Sequence, residues 1–212
     1  MTKSRRRAGR RREKPSKPRT GGRSARVVHD VLGATLEAFA EHGYAGVGID
    51  DVARRAGVNK TTVYRRWPTK ADLLGAALFS LRDDDPPPPN SGSLRDDLFV
   101  LLRDRSRRMA TPRARAIMHA LLLSNADPDL QAIVQRLRRE RPAISPLVIE
   151  RAIQRGELPA DTDARLLVEA LLGPLHSRVY WKRDAVTESY LRALVNLVVS
   201  GAAAGGARRQ DG

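Results

Sequence analysis

The chain has no cysteine among its 212 residues. That excludes disulfides and thiolate metal or redox chemistry, and it fits a reducing compartment. Aromatic residues are scarce, at 4%, and offer no aromatic cage for a cationic ligand. Apolar runs are short. None approaches the roughly 18 residues that a membrane span needs, and the N-terminus leads into no apolar signal core. A soluble intracellular protein with no membrane partner is expected. The four histidines, His29, His42, His119 and His176, are scattered, and none stands at a metal-ligand spacing. No Gly-rich phosphate loop, nucleophile elbow or carboxylate pair stands out. No metal, cofactor or catalytic activity is expected.

What the chain has in excess is positive charge. Its formal net charge is +15 and its pI is near 11.2. The charge is unevenly placed. Residues 1–26 hold 12 Lys or Arg against Glu13 alone. Residues 1–22 carry almost no apolar side chains, so they cannot offset the entropy of ordering and are predicted to be a disordered basic arm. Such an arm either touches DNA phosphates without reading sequence or is a solvated leader. The rest is only mildly basic, and with 41% hydrophobic residues overall it can bury a real core.

From Ser24 onward the pattern is helical, with no convincing strand alternation and no internal repeat. Val28, Leu32, Leu36 and Phe39 recur at helical spacing, with Ser24 as a candidate cap and Gly43 as a candidate end. Ile49, Val52, Ala53 and Ala56 form a second stripe. A short helix is predicted over 60–67, closed by Pro68, and another from Thr69 to about residue 82. "DDDPPPPNSGS" (83–93) reads as a long exposed connection, because four prolines stop any helix. Beyond it, helices are predicted over 94–109 and 114–125, then from an Asp127-Pro128 start to about residue 141. Pro142 and Pro146 either stop that helix or kink it. A helix over 163–181, interrupted at Gly173-Pro174, and a last one over 187–201 follow. The fold class is therefore all-α, with about nine helices. Residues 23–69 form one domain, 70–204 a second, and 205–212 a disordered tail.

"AGVNKTTVYRRWPTKADLL" (56–74) raises the functional question. Between Val52 and Ala71 stand six Lys or Arg and no Asp or Glu. A helix, a turn with glycine at its corner and a second short helix describe a helix-turn-helix. Ala53 and Ala56 are small enough for a close crossing, Gly57 supplies a left-handed corner, and Asn59 can cap the second helix. Val63 and Trp67 are four apart and must face the core. Thr61, Thr62, Tyr64, Arg65 and Arg66 then fall on the other faces. Hydroxyls there can approach base edges or phosphates, and arginine can take guanine O6 and N7 bidentately. Lys70 stands in the first turn of the next helix, where the dipole disfavours a cation unless a phosphate is shared with the backbone amides.

These residues resemble a known family. "GYAGVGIDDVARRAGVNKTTVYRRWPTKADLLGAAL" (43–78) is similar to the DNA-binding domain of the TetR family of bacterial transcriptional regulators. The shared signature is a Gly-aromatic pair, an "xDVAxxAGV" helix, a "KxTVYxxF/W" recognition helix and an "xxKxxLL" opening of the next helix. The resemblance implies a homodimer that binds a double-stranded DNA operator and responds to an unidentified small-molecule effector. It places it in the cytoplasm, associated with the nucleoid. It implies that Thr61, Thr62 and Arg65 meet bases or bases and phosphate, that Tyr64, Arg66 and Lys70 mostly hold phosphates, and that Lys60 belongs to the same DNA-binding face. One departure concerns the family's Thr or Ser before its second helix. Here Val47 and Gly48 stand there, so the phosphate contact is missing or made by the Gly48 backbone.

Residues 155–181 look like an actinobacterial-type TetR C-terminal domain. The helices over 163–181 and 187–201 are too apolar all round for a single buried face, which makes them the expected dimer interface, or else simply the core of this domain. Met109, Met118, His119, Leu122 and Asn125 are candidates to line an effector pocket, or else are ordinary core. The function expected is a ligand-responsive DNA-binding regulator, usually a repressor in this family. A sequence-blind architectural DNA-binding protein driven by the arm is the alternative, and a helical module that has lost DNA binding is a third.

Overall fold

Local capping chemistry sets most helix starts. A computed structural model describes residues 21–208, apart from Asp84, Asn125, Arg141 and Ala143. The basic arm predicted for 1–22 lies outside the described residues, except that its last two residues already belong to α1 (Gly21–Gly46). Ser24 is therefore inside a helix and not its cap. Gly43 breaks the helical geometry near the end of α1, with φ 66° and ψ −174°. Then come α2 (Ile49–Arg55), α3 (Lys60–Tyr64) and α4 (Lys70–Ser80). A proline-rich segment leads to α5 (Leu94–Met109), α6 (Pro112–Leu123), α7 (Pro128–Glu140) and α8 (Pro146–Gln154). The chain closes with α9 (Ala164–His176) and α10 (Glu188–Gly201). Among the described residues there is no strand, and no helix is long and apolar enough to cross a membrane.

Several boundaries differ from those expected. The choice at Pro142 and Pro146 resolves as a break, with Pro146 opening α8 behind the extended Ser145. Gly173-Pro174 does not interrupt α9. Both residues are exposed, so the Ala170 carbonyl that Pro174 cannot serve is left to solvent, and α9 runs on into a π-helical turn, Ser177–Lys182. The tail expected from residue 205 is structured to Arg208. A second π-helical turn, Ala202–Gly206, extends α10. Ala202 and Ala207 are buried, the Asp163 N–H donates to the Ala207 carbonyl at 2.6 Å, and Thr162 pairs with Arg208.

The apolar packing divides elsewhere than at residue 69. One buried cluster joins α1–α4 to α6 and α7 through Phe39, Leu73, Leu74, Ile117, Leu130 and Ile133. The other joins α5, α8, α9 and α10 through Leu98, Leu102, Ile149, Leu171 and Leu194. Truncating a fully buried leucine such as Leu74 or Leu171 to alanine should cost about 2–5 kcal/mol. Helices α1 and α4, which flank the helix-turn-helix, are thus packed directly onto α6 and α7 of the second half.

Candidate nucleic-acid interface

The corner between α2 and α3 is built by Gly57, whose φ is 65°. An added Cβ would meet nothing within 4 Å, so glycine is needed there for its backbone conformation alone. The Asn59 Oδ1 accepts from the Thr61 N–H at 2.9 Å and from the Thr61 hydroxyl at 2.9 Å. That cap closes the open end of α3. Val63 is fully buried and Trp67 is 9% exposed. Around them Lys60, Thr61, Tyr64, Arg65 and Arg66 are exposed and Thr62 is half-buried. The sequence places all of these correctly, but α3 is shorter than expected. The N–H groups of Arg66 and Trp67 both reach the Val63 carbonyl, at 3.0 and 2.9 Å. This tightened last turn ends the helix before Pro68 is reached.

The charges around α3 differ in what holds them. Lys60 approaches Asp50 of α2 at 3.7 Å, and the Arg66 guanidinium lies 5.9 Å from the Trp67 ring. The Arg65 guanidinium makes no ion pair or hydrogen bond with the described residues, although its backbone N–H donates to the Thr61 carbonyl at 3.1 Å. Because its hydroxyl proton is given to Asn59, Thr61 has lone pairs to offer a base amine. Below, Arg55 bridges Asp51 at 2.7 Å and Glu41 at 2.8 Å, tying α2 to α1, and Arg54 also pairs with Asp51. The Arg55 hydrogen bonds hold the Glu41 and Asp51 carboxyls below their ordinary range. Gly48 is the N-cap of α2, extended and with no side-chain cap.

Lys70 opens α4 behind a capping box in which the Asp72 N–H donates to Thr69 at 3.0 Å and the Thr69 N–H donates to Asp72 at 3.2 Å. Its ammonium lies 4.1 Å from the centre of the Tyr44 ring, a cation–π contact that gives this cation a partner at an unfavourable helix end. Tyr44 is itself a junction. Its hydroxyl donates to Asp129 at 3.0 Å and its N–H donates to Ser124 at 3.2 Å. Burial, and then Asp129, push the phenol pKa up. Next to it, Gly43 has a positive φ, and an added Cβ would stand 3.1 Å from the Ser124 hydroxyl. This contact between the end of α1 and the α6–α7 corner is not legible from local sequence.

The expected pocket residues are not brought together. Met109 is buried in the second core, Met118 is half-buried, and His119 and Leu122 are exposed. Asn125 lies outside the described residues. A cavity of about 270 Å³ lies between α5 and the proline-rich segment, with Pro86–Pro89, Leu101 and Arg105 in its wall. The proline-rich segment is thus the largely exposed connection expected, and it also forms a strap over one side of this cavity. Among the described residues no group of three or more His, Cys, Asp or Glu could hold a metal ion.

Comparison with known proteins agrees with this geometry. The family "Bacterial regulatory proteins, tetR family" matches residues 31–77, and "Tetracyclin repressor-like, C-terminal domain" matches residues 88–198. The chain is 33% identical over 179 residues to the HTH-type transcriptional regulator AqdR of Rhodococcus erythropolis, covering 84% of this chain and 86% of that one. It is 32% identical over 155 residues to the DNA-binding transcriptional repressor TetR of Mycobacteroides abscessus, covering 67% and 77%. Among solved structures it is similar to the TetR family transcription regulator SCO0332, with a TM-score of 0.64 and 29% identity over 82% of this chain and 97% of that chain.

Proposed function

This chain belongs to the TetR family of bacterial transcriptional regulators, and from that premise we propose that it is a homodimeric repressor that reads a palindromic operator through α3 and releases it on binding a small molecule. It is a DNA-binding regulator and not an enzyme. The observation that carries the finer reading is the fixed orientation of α3. Burial of Val63 and Trp67 holds Thr61, Tyr64, Arg65 and Arg66 outward. Arg65 and Thr61 read base edges in the major groove, with Thr62 beside them, while Lys60, Tyr64, Arg66 and Lys70 hold phosphates. The capping box occupies the Thr69 and Asp72 amides, which leaves those of Lys70 and Ala71 for a phosphate near the ammonium.

The dimer forms through α9 and α10. Leu166, Ala170, Pro174 and Trp181 are exposed along one side of α9 and the turn after it. Ala193 and Leu197 are exposed on α10. Leu197 is 74% and Trp181 73% exposed, an apolar strip that a second copy would cover. Two copies present two α3 helices to successive major grooves, about 34 Å apart.

A footprint on the selected site tests the reading. Wild-type protein should protect a short palindrome, and Arg65→Ala should cost about 1–3 kcal/mol there and relax the preference at its base. Binding of equal tightness to scrambled duplexes would instead favour a sequence-blind architectural role carried by the basic arm.

A further inference from the structure

The cavity beneath the proline strap has a composition unlike the rest of the second core. Its apolar wall comes from Pro86–Pro89, Leu101 of α5 and Pro142. Both ends of the strap are pinned. Asp85 pairs with Arg108 at 3.3 Å, and the Pro89 carbonyl accepts from Arg151 at 3.4 Å. Of the charges in the wall, Asp85 is thereby neutralised, and Asp104 pairs with Arg103 at 3.4 Å. Arg105 has no such partner. Its Nε is buried without any hydrogen-bond partner, and it makes no ion pair with the described residues. Burial, with Arg82 and Arg108 nearby, pulls its pKa down to about 10. Arg105 is half-buried as a residue, but a shielded donor left without a partner costs stability. Its retention is explained if something absent from the free chain pairs with it.

We infer that this cavity is a binding site for an organic monoanion, a carboxylate on a compact apolar body, with Arg105 as the carboxylate's partner. A guanidinium offers a planar fork of N–H donors that a carboxylate fills with two parallel hydrogen bonds. The proline rings and Leu101 take the apolar body. About 270 Å³ lies near the lower end of small-molecule pockets, which suits a single ring, two fused rings or a short chain. The strap follows α4, and only five residues separate α4 from α3. A ligand that lifts the strap therefore acts on the helix that carries Lys70. This regulatory half rests on the reading of the chain as a ligand-responsive repressor, whereas binding itself does not.

Calorimetry on the full chain tests it, with benzoate, 2-naphthoate and octanoate each set against its neutral alcohol, and inorganic phosphate as a bare anion. At least one carboxylate should bind tenfold or more tightly than its alcohol and than phosphate. Arg105→Gln should abolish that preference, and Arg105→Lys, which keeps the charge and loses the fork, should weaken it. Ligand-free Arg105→Gln should melt at the same temperature as wild type or higher, because an unpaired buried charge has gone. The site is overturned if no carboxylate beats its alcohol, if phosphate binds as tightly, or if Arg105→Gln leaves the affinity unchanged. A carboxylate that binds through Arg105 without weakening operator binding overturns the effector role. Failure to find any preferred DNA sequence would instead overturn the operator reading and leave this measurement as it stands.

Discussion

Arg65 and Arg105 are both cations without a carboxylate partner, and they sit in opposite settings. Arg65 stands in water on the short helix α3, where leaving it unpaired costs nothing and keeps it available for DNA. Arg105 is half-buried in the cavity wall with its Nε shielded from water, where the same lack of a partner is costly. The first kind of free charge is found on many surfaces, and only the rigid placement of α3 makes it informative. The second kind is rare and is informative by itself. An unpaired exposed charge thus needs a scaffold argument before it points to a ligand, whereas an unpaired buried one points to a ligand directly.

The largest expected effect breaks the scaffold side of this contrast. Val63→Asp puts an uncompensated carboxylate under α3 and should destabilise the protein by about 3–5 kcal/mol, with loss of site-specific DNA binding. Urea unfolding alongside a gel shift would read both. A smaller effect comes from the link between the two halves. Tyr44→Phe removes the bond to Asp129 and should cost about 1 kcal/mol of stability in urea, while the α3 face stays as it is. If Tyr44→Phe also changes how strongly a bound ligand weakens operator binding, the α1 end carries part of the coupling.

The smallest effect concerns the buried cation's surroundings. His176 stacks near Tyr180, with ring centres 5.8 Å apart. Burial, and then the charges of Arg105 and Arg138, lower its pKa to about 4. The unfolded chain therefore binds more protons than the folded one between about pH 6.5 and 4. Stability should be intact above pH 6.5 and fall as the pH drops through that window. Thermal melts of His176→Asn should show a flatter acid limb. Arg105→Gln should make the limb shallower and end it at a higher pH, because removing a nearby positive charge makes His176 easier to protonate and brings its folded pKa closer to the unfolded value.

The orientation of α3 was legible in the sequence, and the cavity was not, for physical reasons. The Asn59, Thr69, Asp127 and Thr187 caps are local, each set within three residues, and all four form. Val63 and Trp67 follow from a four-residue spacing. The cavity needs three segments, 85–89, 100–108 and 142–145, to meet in space. Met109, Met118, His119 and Leu122 were chosen by residue type, and helix rotation decided otherwise, with Met109 turned into the core and His119 and Leu122 turned to solvent. The tail was misread for a similar reason. Alanines and glycines carry little local signal, and only the contacts at Thr162 and Asp163 hold residues 202–208 in place.

Selection of bound sequences from random duplex DNA tests the central claim most directly. The full chain should enrich a palindrome whose half-sites lie about 34 Å apart, or one helical turn, and Arg65→Ala should relax one position in each half-site. Recovery of no preferred sequence, or of an identical one with Arg65→Ala, would contradict the assignment of α3 as the element that reads DNA.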